Sequence, residues 1–345
     1  MPIDTSFALK LPKIELHAHL TGSISPECLR DIWLKSETNL KDPSIALQPI
    51  GKQHHDITTF FKIFDTYIYD LVNTPQAVKL STKSVLQAFR EDGVRYLELR
   101  TTPRRHEKTG MEREEYLEGV LDAIETFEGR DDMPTYLILS IDRRNTLEQA
   151  LHVVEFAVKY RSRGVVGVDL CGNPTVGPVE HLAPAFEEAK RHGLKVTLHF
   201  AEVPASSTEE EMEMLLEWKP DRIGHVIHTT PVIEEEIGRQ GVGLELCLSC
   251  NVLAKMLPGE GGYVDHHFGR WKGRGNPIAL STDDVGVFGS PLSNEYQLAA
   301  HHFDLSKTEI VDLSRRAIDS IFAGEDEEAR LHRLLDDFVS RECGE

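Results

Sequence analysis

The sequence predicts an α/β fold, a single (β/α)₈ TIM barrel over residues 1–345 with extra helices after the first strand and at the C-terminus. Eight short apolar runs recur along the chain, helical segments separate most of them, and ionisable side chains collect where the runs end. Alternating strands and helices predict a parallel sheet joined by right-handed crossovers, and eight such units can close into a barrel. An open, doubly wound sheet is the alternative. The barrel is favoured because its strand ends converge on one mouth.

Most of the predicted strands are nearly continuous apolar runs, as expected for strands that are covered on both faces. They span residues 13–19, 94–102, 134–142, 165–172, 195–202, 222–227, 242–249 and 277–284. The segments between them have the apolar periodicity of amphipathic helices. These helices are predicted at residues 74–91, 112–127, 146–160, 179–192 and 208–218.

Two further segments predict helices outside the regular repeat. Residues 21–93 are too many for one helix and include a group of aromatic side chains: Phe60, Phe61, Phe64, Tyr67 and Tyr69. We expect extra helices here, whose aromatic residues form either an apolar lid or ordinary core packing. Helical periodicity over residues 293–343 predicts helices that close the barrel.

Composition limits the class of protein. With 57 acidic and 38 Lys and Arg residues, the formal net charge is -19, which disfavours long nucleic acids as partners. The chain has no apolar run of the roughly 18 residues that span a membrane and no apolar signal-peptide core near Met1. An odd number of scattered cysteines predicts reduced thiols rather than disulfides: Cys28, Cys171, Cys247, Cys250 and Cys343. We therefore expect a cytosolic monomer, free of membrane and nucleic-acid partners.

Four residues at predicted strand ends form a candidate metal site. His17 and His19 lie two apart in the first strand, so both imidazoles point to the same face. His199 and Asp283 end two other strands and would reach the same mouth. Three imidazoles and one carboxylate suit a single Zn²⁺ with room for one water, whose pKa such an ion lowers to about 7. The Cys247 and Cys250 pair is not expected to bind metal, because no second cysteine pair completes a structural zinc shell.

Three more polar residues near strand ends have separate predicted roles. Glu202 lies three residues beyond His199 and is our candidate general acid. His225 either accepts a proton from the water or orients it, and Asp284 hydrogen-bonds the water or the substrate. Taken singly, each has a structural explanation, since a buried histidine can be an ordinary hydrogen-bonding group and an aspartate can cap a helix. Their joint arrangement on the correct strand ends favours a catalytic site.

Four motifs in this order resemble the signature set of the adenosine deaminase family, over almost the whole chain. They are His17-Ala-His19, Leu198-His-Phe-Ala-Glu202, Arg222-Ile-Gly-His225 and Ser281-Thr-Asp-Asp284. The resemblance implies a zinc barrel with these metal ligands: His17, His19, His199 and Asp283. It also implies that Glu202 protonates the purine at N1 and that His225 and Asp284 handle the water and the purine. Two further residues are implied to bind the substrate: His19, and Gly172, which would contact the base through its backbone.

Within the family, three segments resemble the adenosine deaminase-like branch, the N6-methyl-AMP deaminases. They are residues 97–105, residues 141–144, and residues 265–271 followed by 293–300. The resemblance implies that five residues help to hold the nucleotide: Thr101, Thr102, Pro103, Arg104 and Asp142. An arginine beside hydroxyl groups suits a monophosphate, because its fork pairs with phosphate oxygens. The alternative is that Arg104 and Arg105 are solvated loop charges. The chain departs from the branch at Thr21, Asn173 and Val226.

The predicted function is zinc-dependent hydrolysis at C6 of a purine monophosphate, converting N6-methyl-AMP to IMP and methylamine. Two alternatives remain: an adenosine deaminase acting on adenosine, and a purine-binding barrel without catalytic activity. The chain does not resemble the zinc cytidine-type deaminases, because it has no Pro-Cys-x-x-Cys motif.

Overall fold

Eight parallel strands form the centre of the protein, in a computed structural model that describes residues 3–46, 61–259 and 261–342. Phe60 and Cys343, both considered above, lie outside these ranges. The strands are β1 (Lys13–His19), β2 (Val94–Thr101), β3 (Thr135–Asp142), β4 (Val165–Cys171), β5 (Lys195–Phe200), β6 (Arg222–His225), β7 (Gly243–Leu246) and β8 (Ile278–Leu280). Each is hydrogen-bonded to the next along the chain, in the order β1 to β8.

The sheet closes where the segment after β8 meets β1. The His19 N–H donates to the Asp283 carbonyl at 2.9 Å, and the Asp283 N–H donates to the His17 carbonyl at 2.8 Å. These bonds bring Asp283 beside the two histidines of β1. The predicted (β/α)₈ barrel is therefore confirmed, and the doubly wound alternative is wrong.

Several helices of the repeat begin where the sequence supplies a capping side chain. The Thr74, Thr146 and Thr208 hydroxyls each accept a hydrogen bond from a backbone N–H of the following first turn. Such a side chain satisfies one of the unpaired N–H groups of a helix start. The predicted helices are confirmed as Pro75–Glu91, Arg113–Glu125, Leu147–Lys159, Ala183–Arg191 and Glu209–Glu217, and Pro231–Gln240 follows β6.

Additional helices occur in both places where they were expected. After β1 lie Pro26–Lys35, Pro43–Ala46, a π-helix at Phe64–Ile68 and one further turn at Tyr69–Leu71. After β8 lie Val285–Phe288, Leu292–His302, Lys307–Ile318 and Glu325–Glu342, while Leu248–Leu253 and Phe268–Trp271 follow β7, and Thr5–Lys10 precedes β1. In the described part of the chain, no helix is long and apolar enough to cross a membrane.

Four strands, β5 to β8, end two or more residues earlier than predicted. β5 ends at Phe200 because Ala201 has a φ of 49°, so Glu202 lies outside the strand. β6 ends at His225, which has a φ of 66°, and β8 ends at Leu280, three residues before Asp283 with its φ of 61°. β7 ends at Leu246, and the run that was predicted as its continuation forms the helix Leu248–Leu253. A residue in the left-handed conformation departs from the extended conformation of a strand.

Candidate metal centre and active site

The candidate metal ligands of three strand ends meet at one point. Ligand atoms of His17, His19, His199 and Asp283 all lie within 4.8 Å of one another. The Nε2 atoms of His19 and His199 are 3.1 Å apart. Asp283 Oδ1 lies 3.4 Å from His19 Nε2 and 3.6 Å from His17 Nε2. The structure thus brings together the four residues that the sequence indicated.

Buried carboxylates orient two of these rings. Glu245 Oε2 lies 2.6 Å from His17 Nδ1, and Asp169 Oδ1 lies 3.1 Å from His199 Nδ1. A carboxylate accepts the Nδ1 proton, so each Nε2 lone pair faces the other ligands. His17 Nε2 is buried, and within the described residues it has no hydrogen-bond partner. An imidazole nitrogen left in this way, beside two further imidazoles and a carboxylate, fits a transition-metal ion such as Zn²⁺.

His17 packs directly against the backbone of strand β6, which does not pair with β1. A Cβ atom placed on Gly224 would lie 2.6 Å from His17 Cε1 and 2.8 Å from its Nδ1. Real Cβ atoms do not approach other heavy atoms so closely. The glycine is therefore required by the position of the His17 ring.

Glu202, the candidate acid, faces the same mouth from the turn after β5. It is 5% exposed, and its Oε1 lies 3.8 Å from His225 Nε2, beyond hydrogen-bond distance. Its Oε2 is buried, without a hydrogen-bond partner in the described part of the chain. Burial raises the pKa of Glu202 to about 7. The carboxyl group can therefore hold a proton near neutral pH, as a general acid must.

His225 and Asp284 lie next to the candidate metal ligand Asp283, His225 with its Nε2 4.0 Å from Asp283 Oδ2 and Asp284 as the next residue along the chain. His225 and Val226 have φ values of 66° and 50°, which end β6 and leave the His225 ring fully buried at the mouth. Asp284 packs against Gly22, where a Cβ would lie 1.4 Å from the Asp284 Oδ1. Burial and the adjacent charge of Asp283 raise the pKa of Asp284 well above its usual value.

Most of the residues predicted to bind the nucleotide line the cavity that also contains Glu202. The Arg104 guanidinium carbon is 3.9 Å from the centre of the Tyr69 ring and 4.8 Å from that of Tyr116. Arg104 also donates to the Tyr116 hydroxyl at 3.2 Å. Thr101 lies 2.6 Å from the same hydroxyl, and Thr102 contacts the Cys171 sulfur at 3.7 Å.

Asp142 is paired within the protein. Its carboxylate accepts two hydrogen bonds from the Arg144 guanidinium, at 2.9 and 2.7 Å. Gly172, with a φ of 97°, passes so close that a Cβ would lie 2.7 Å from the Asp142 carboxyl carbon. Pro103 lines a neighbouring cavity with Arg104 and Arg144. Except for Pro103, all the predicted nucleotide and base contacts line the main cavity: His19, Thr101, Thr102, Arg104, Asp142, Gly172 and Asp284.

Sequence reasoning missed several residues of the site. Glu245 and the role of Asp169 were not predicted, although charged residues in buried strands were a usable signal. The cavity is also lined by Phe61, Phe64 and Tyr69, which places part of the predicted aromatic lid over the site. Tyr67 instead donates to the Lys41 carbonyl at 2.6 Å and does not line this cavity.

The two cysteines lie beside the candidate metal ligand Asp283. Cys250 donates to Asp283 Oδ2 at 2.8 Å, and Cys247 forms with His225 and Asp283 a second group whose possible ligand atoms lie within 4.8 Å of one another. Burial raises the pKa of both thiols well above the usual value, which disfavours the thiolate that binds metal.

Of the three departures from the branch pattern, two touch the site. Thr21 lines the main cavity, and Val226 follows His225 in a left-handed conformation that favours glycine. Asn173 accepts hydrogen bonds from the backbone and the hydroxyl of Thr175 and so stabilises its own loop.

A (β/α)₈ barrel whose mouth gathers imidazoles, carboxylates and a buried acid defines a barrel hydrolase with a candidate metal centre. Residues 12–338 match the family model described as adenosine deaminase. The chain belongs to the adenosine deaminase family and is a hydrolytic deaminase.

Individual relatives match this chain over nearly its full length. The chain is 40% identical to the N6-methyl-AMP deaminase of Danio rerio over 338 residues, which covers 95% of each protein. The crystal structure of the Arabidopsis N6-mAMP deaminase MAPDA matches with a TM-score of 0.89 at 36% identity, covering 96% of this chain and 99% of that one. The structure of the ADAL–IMP complex matches with a TM-score of 0.90 at 35% identity, covering 98% and 100%.

We predict that Gly224→Ala lowers the metal content of the protein. The new methyl group would displace the His17 ring, and misplacing one ligand of a metal site costs roughly 10-fold or more in affinity. Metal content after dialysis against limiting ZnCl₂ tests this. Gly273→Ala is the control, because a Cβ there meets no atom within 4 Å. Full metal content in Gly224→Ala would show that the ring is not held as described.

Proposed function

We propose that the protein is a zinc-dependent deaminase that hydrolyses N6-methyl-AMP to IMP and methylamine. The relatives that are named N6-methyl-AMP deaminases and the neighbour bound to IMP support a purine nucleotide as the substrate. One observation from this chain carries the proposal further: Arg104 is held over Tyr69 in the cavity that is also lined by Glu202 and by three of the candidate metal ligands.

The charge on Arg104 supports a phosphate group as its partner. Arg100 and Arg144, the other arginines lining this cavity, each pair with carboxylates. Within the described residues Arg104 has no ion-pair partner, and its hydrogen-bonding and aromatic contacts are neutral. A positive group without a carboxylate, in a protein of formal net charge -19, suits an anionic ligand. Adenosine carries no such group.

The reaction requires a proton for the purine and a nucleophile for C6. Zn²⁺ held by His17, His19, His199 and Asp283 would lower the pKa of water and supply the nucleophile at neutral pH. Glu202 would donate its proton to the ring nitrogen N1, which makes C6 more electrophilic. Because Glu202 is buried, this proton is retained close to neutral pH.

The remaining side chains of the mouth would hold the reactants in place. Asp284 would accept a hydrogen bond from the attacking water or from the purine, and Gly172 would contact the base through its backbone. Phosphate binding by Arg104 in the same cavity would fix the position of the purine ring relative to Glu202. Binding energy from a remote group can position a reacting centre in this way.

We predict that Glu202→Gln retains bound zinc but loses most of its turnover. The amide cannot supply the proton, and general acid catalysis contributes about 10²- to 10⁴-fold in rate. Asp283→Ala is the comparison variant, since it removes a proposed ligand and should lose zinc as well as activity. Metal analysis and kcat measured on the same samples separate the two effects. Wild-type kcat in Glu202→Gln would exclude this residue as the acid.

We predict that kcat/KM decreases as the pH rises above about 7. The pKa of Glu202 is raised to about 7, so the carboxyl is protonated below this pH and loses its proton above it. A general acid acts in its protonated form, so the rate should fall by about tenfold per pH unit on the alkaline side. The measurement is kcat/KM over a series of pH values, because its pH dependence reports the ionisation of groups in the free enzyme. A level profile to about pH 9 would argue against a neutral Glu202 as the acid.

We predict that Arg104→Ala raises the KM for N6-methyl-AMP and AMP by about 10- to 100-fold, since charged hydrogen bonds contribute about 1.5–3 kcal/mol. The efficiency with adenosine should change little, because adenosine has no phosphate. Arg105→Ala is the matched control, since Arg105 is exposed and pairs with Glu107 at 3.1 Å. The test compares inosine or IMP formation from all three substrates. The phosphate proposal would be overturned if Arg104→Ala lost as much catalytic efficiency with adenosine as with the nucleotides. It would also be overturned if the wild-type enzyme preferred adenosine to both nucleotides.

A further inference from the structure

The His225 ring presents one nitrogen to the reaction site and the other to the protein. Its Nε2 is buried, and within the described residues it lacks a hydrogen-bond partner. The nearest carboxylates, Glu202 Oε1 and Asp283 Oδ2, lie 3.8 and 4.0 Å away. Its Nδ1 instead faces the Asn251 amide nitrogen at 3.0 Å. What His225 can do depends on which nitrogen carries the proton.

A chain of three hydrogen bonds connects this ring to a backbone N–H. The Phe268 N–H lies 3.0 Å from His266 Nδ1, and His266 Nε2 lies 3.0 Å from Asn251 Oδ1. The Asn251 amide nitrogen then reaches His225. The second N–H of this amide is directed towards the Met256 sulfur at 3.6 Å, in agreement with the same orientation.

The direction of every bond in the chain follows from its first member. A backbone N–H can only donate, so His266 Nδ1 is an acceptor and the proton of the neutral ring is on Nε2. His266 Nε2 therefore donates to the Asn251 oxygen, which directs the amide nitrogen towards His225. Because an amide nitrogen only donates, His225 Nδ1 must accept, and the proton of the neutral His225 ring is on Nε2.

Both rings are neutral, for two different reasons. His266 is 2% exposed, and burial lowers its pKa to about 3, with a smaller contribution from Arg270. His225 is fully buried, and its Nδ1 carries no proton because it accepts from the Asn251 amide nitrogen. Each neutral ring therefore carries a single proton.

We propose that Asn251 and His266 are positioning residues that hold His225 in its Nε2–H tautomer, so that His225 donates a hydrogen bond into the site instead of accepting a proton. The tautomer follows from the hydrogen bonds alone, whereas the consequence for catalysis rests on the proposed deaminase function. A fixed Nε2–H can orient the attacking oxygen and stabilise the negative charge that develops on it. Of the two roles that the sequence left open for His225, the bonding favours orientation.

The same segment also supports the His225 backbone. His267 Nε2 donates to the carbonyl of His225, whose φ of 66° is costly for a residue with a side chain. Adjacent histidines thus fix both the conformation and the tautomer of one residue. His266 and His267, which lie in the segment 265–271, therefore support His225 through its ring and through its backbone.

The test is the tautomer itself, read from ring ¹⁵N chemical shifts of the full chain labelled at histidine, in metal-free and zinc-loaded forms. The His225 signals are identified by their loss in His225→Gln. We expect Nδ1 unprotonated and Nε2 protonated in the wild type. His266→Gln should keep this pattern, because its amide nitrogen can still donate to Asn251 Oδ1.

Asn251→Asp should reverse the pattern. A carboxylate accepts, so His225 Nδ1 becomes protonated and kcat falls by about tenfold or more, with bound zinc and KM within about twofold of wild type. A wild-type His225 protonated on Nδ1 overturns the proposal, as does Asn251→Asp with unchanged shifts and kcat. If that variant fails to fold, the wild-type and His266→Gln spectra still decide. The spectra need no substrate, so they stand even if N6-methyl-AMP is not turned over.

Discussion

The site depends on one buried arginine that joins two carboxylates inside the barrel. Arg100 lies 2.8 Å from Glu245 Oε2 and 3.3 Å from Asp169 Oδ1, and all three side chains are fully buried. The two carboxylates are those that accept hydrogen bonds from His17 and His199. Although burial opposes ionisation, Arg100 and Arg222 keep the pKa of Glu245 below its usual value. A carboxylate that stays ionised fixes the Nδ1 proton of its histidine and leaves Nε2 free for a metal.

This arrangement places buried charges where an uncompensated one would cost several kcal/mol. Further ion pairs below the mouth compensate these buried charges, since Arg222 binds both Glu245 and Glu98. The Arg222 guanidinium also lies 3.4 Å from the centre of the Phe322 ring, in the segment before the last helix. The orientation of the candidate metal ligands is thus set by strands β2, β4, β6 and β7 rather than by loops. A rigid support of this kind is what precise ligand geometry requires.

The sequence predicted the strands and helices because their patterns are local. Thr74, Thr146 and Thr208 mark helix starts through hydrogen bonds within four residues, so a single chain segment contains the whole signal. Strand ends were predicted less well. The run 242–249 is mostly apolar, with Glu245 and Ser249 as its polar residues, yet it is a strand to Leu246 and a helix from Leu248, and both parts are buried. Apolar composition reports burial, whereas the end of a strand depends on backbone angles that a short apolar run does not encode.

The site was predicted only to the extent that its residues lie at strand ends. His17, His199 and Asp283 could be brought together by topology alone, since parallel strands deliver their ends to one mouth. The residues that support them, such as Arg100 and Glu245, lie within strands and meet across the barrel from 145 positions apart. A charged residue inside an apolar strand is nonetheless informative. Glu98 and Arg100 alternate along β2 and point to the same face, and burying two charges there demands partners of opposite sign on other strands. A charged residue in a buried strand therefore predicts an ion-pair partner on another strand, and such pairs include the residues that orient the candidate metal ligands.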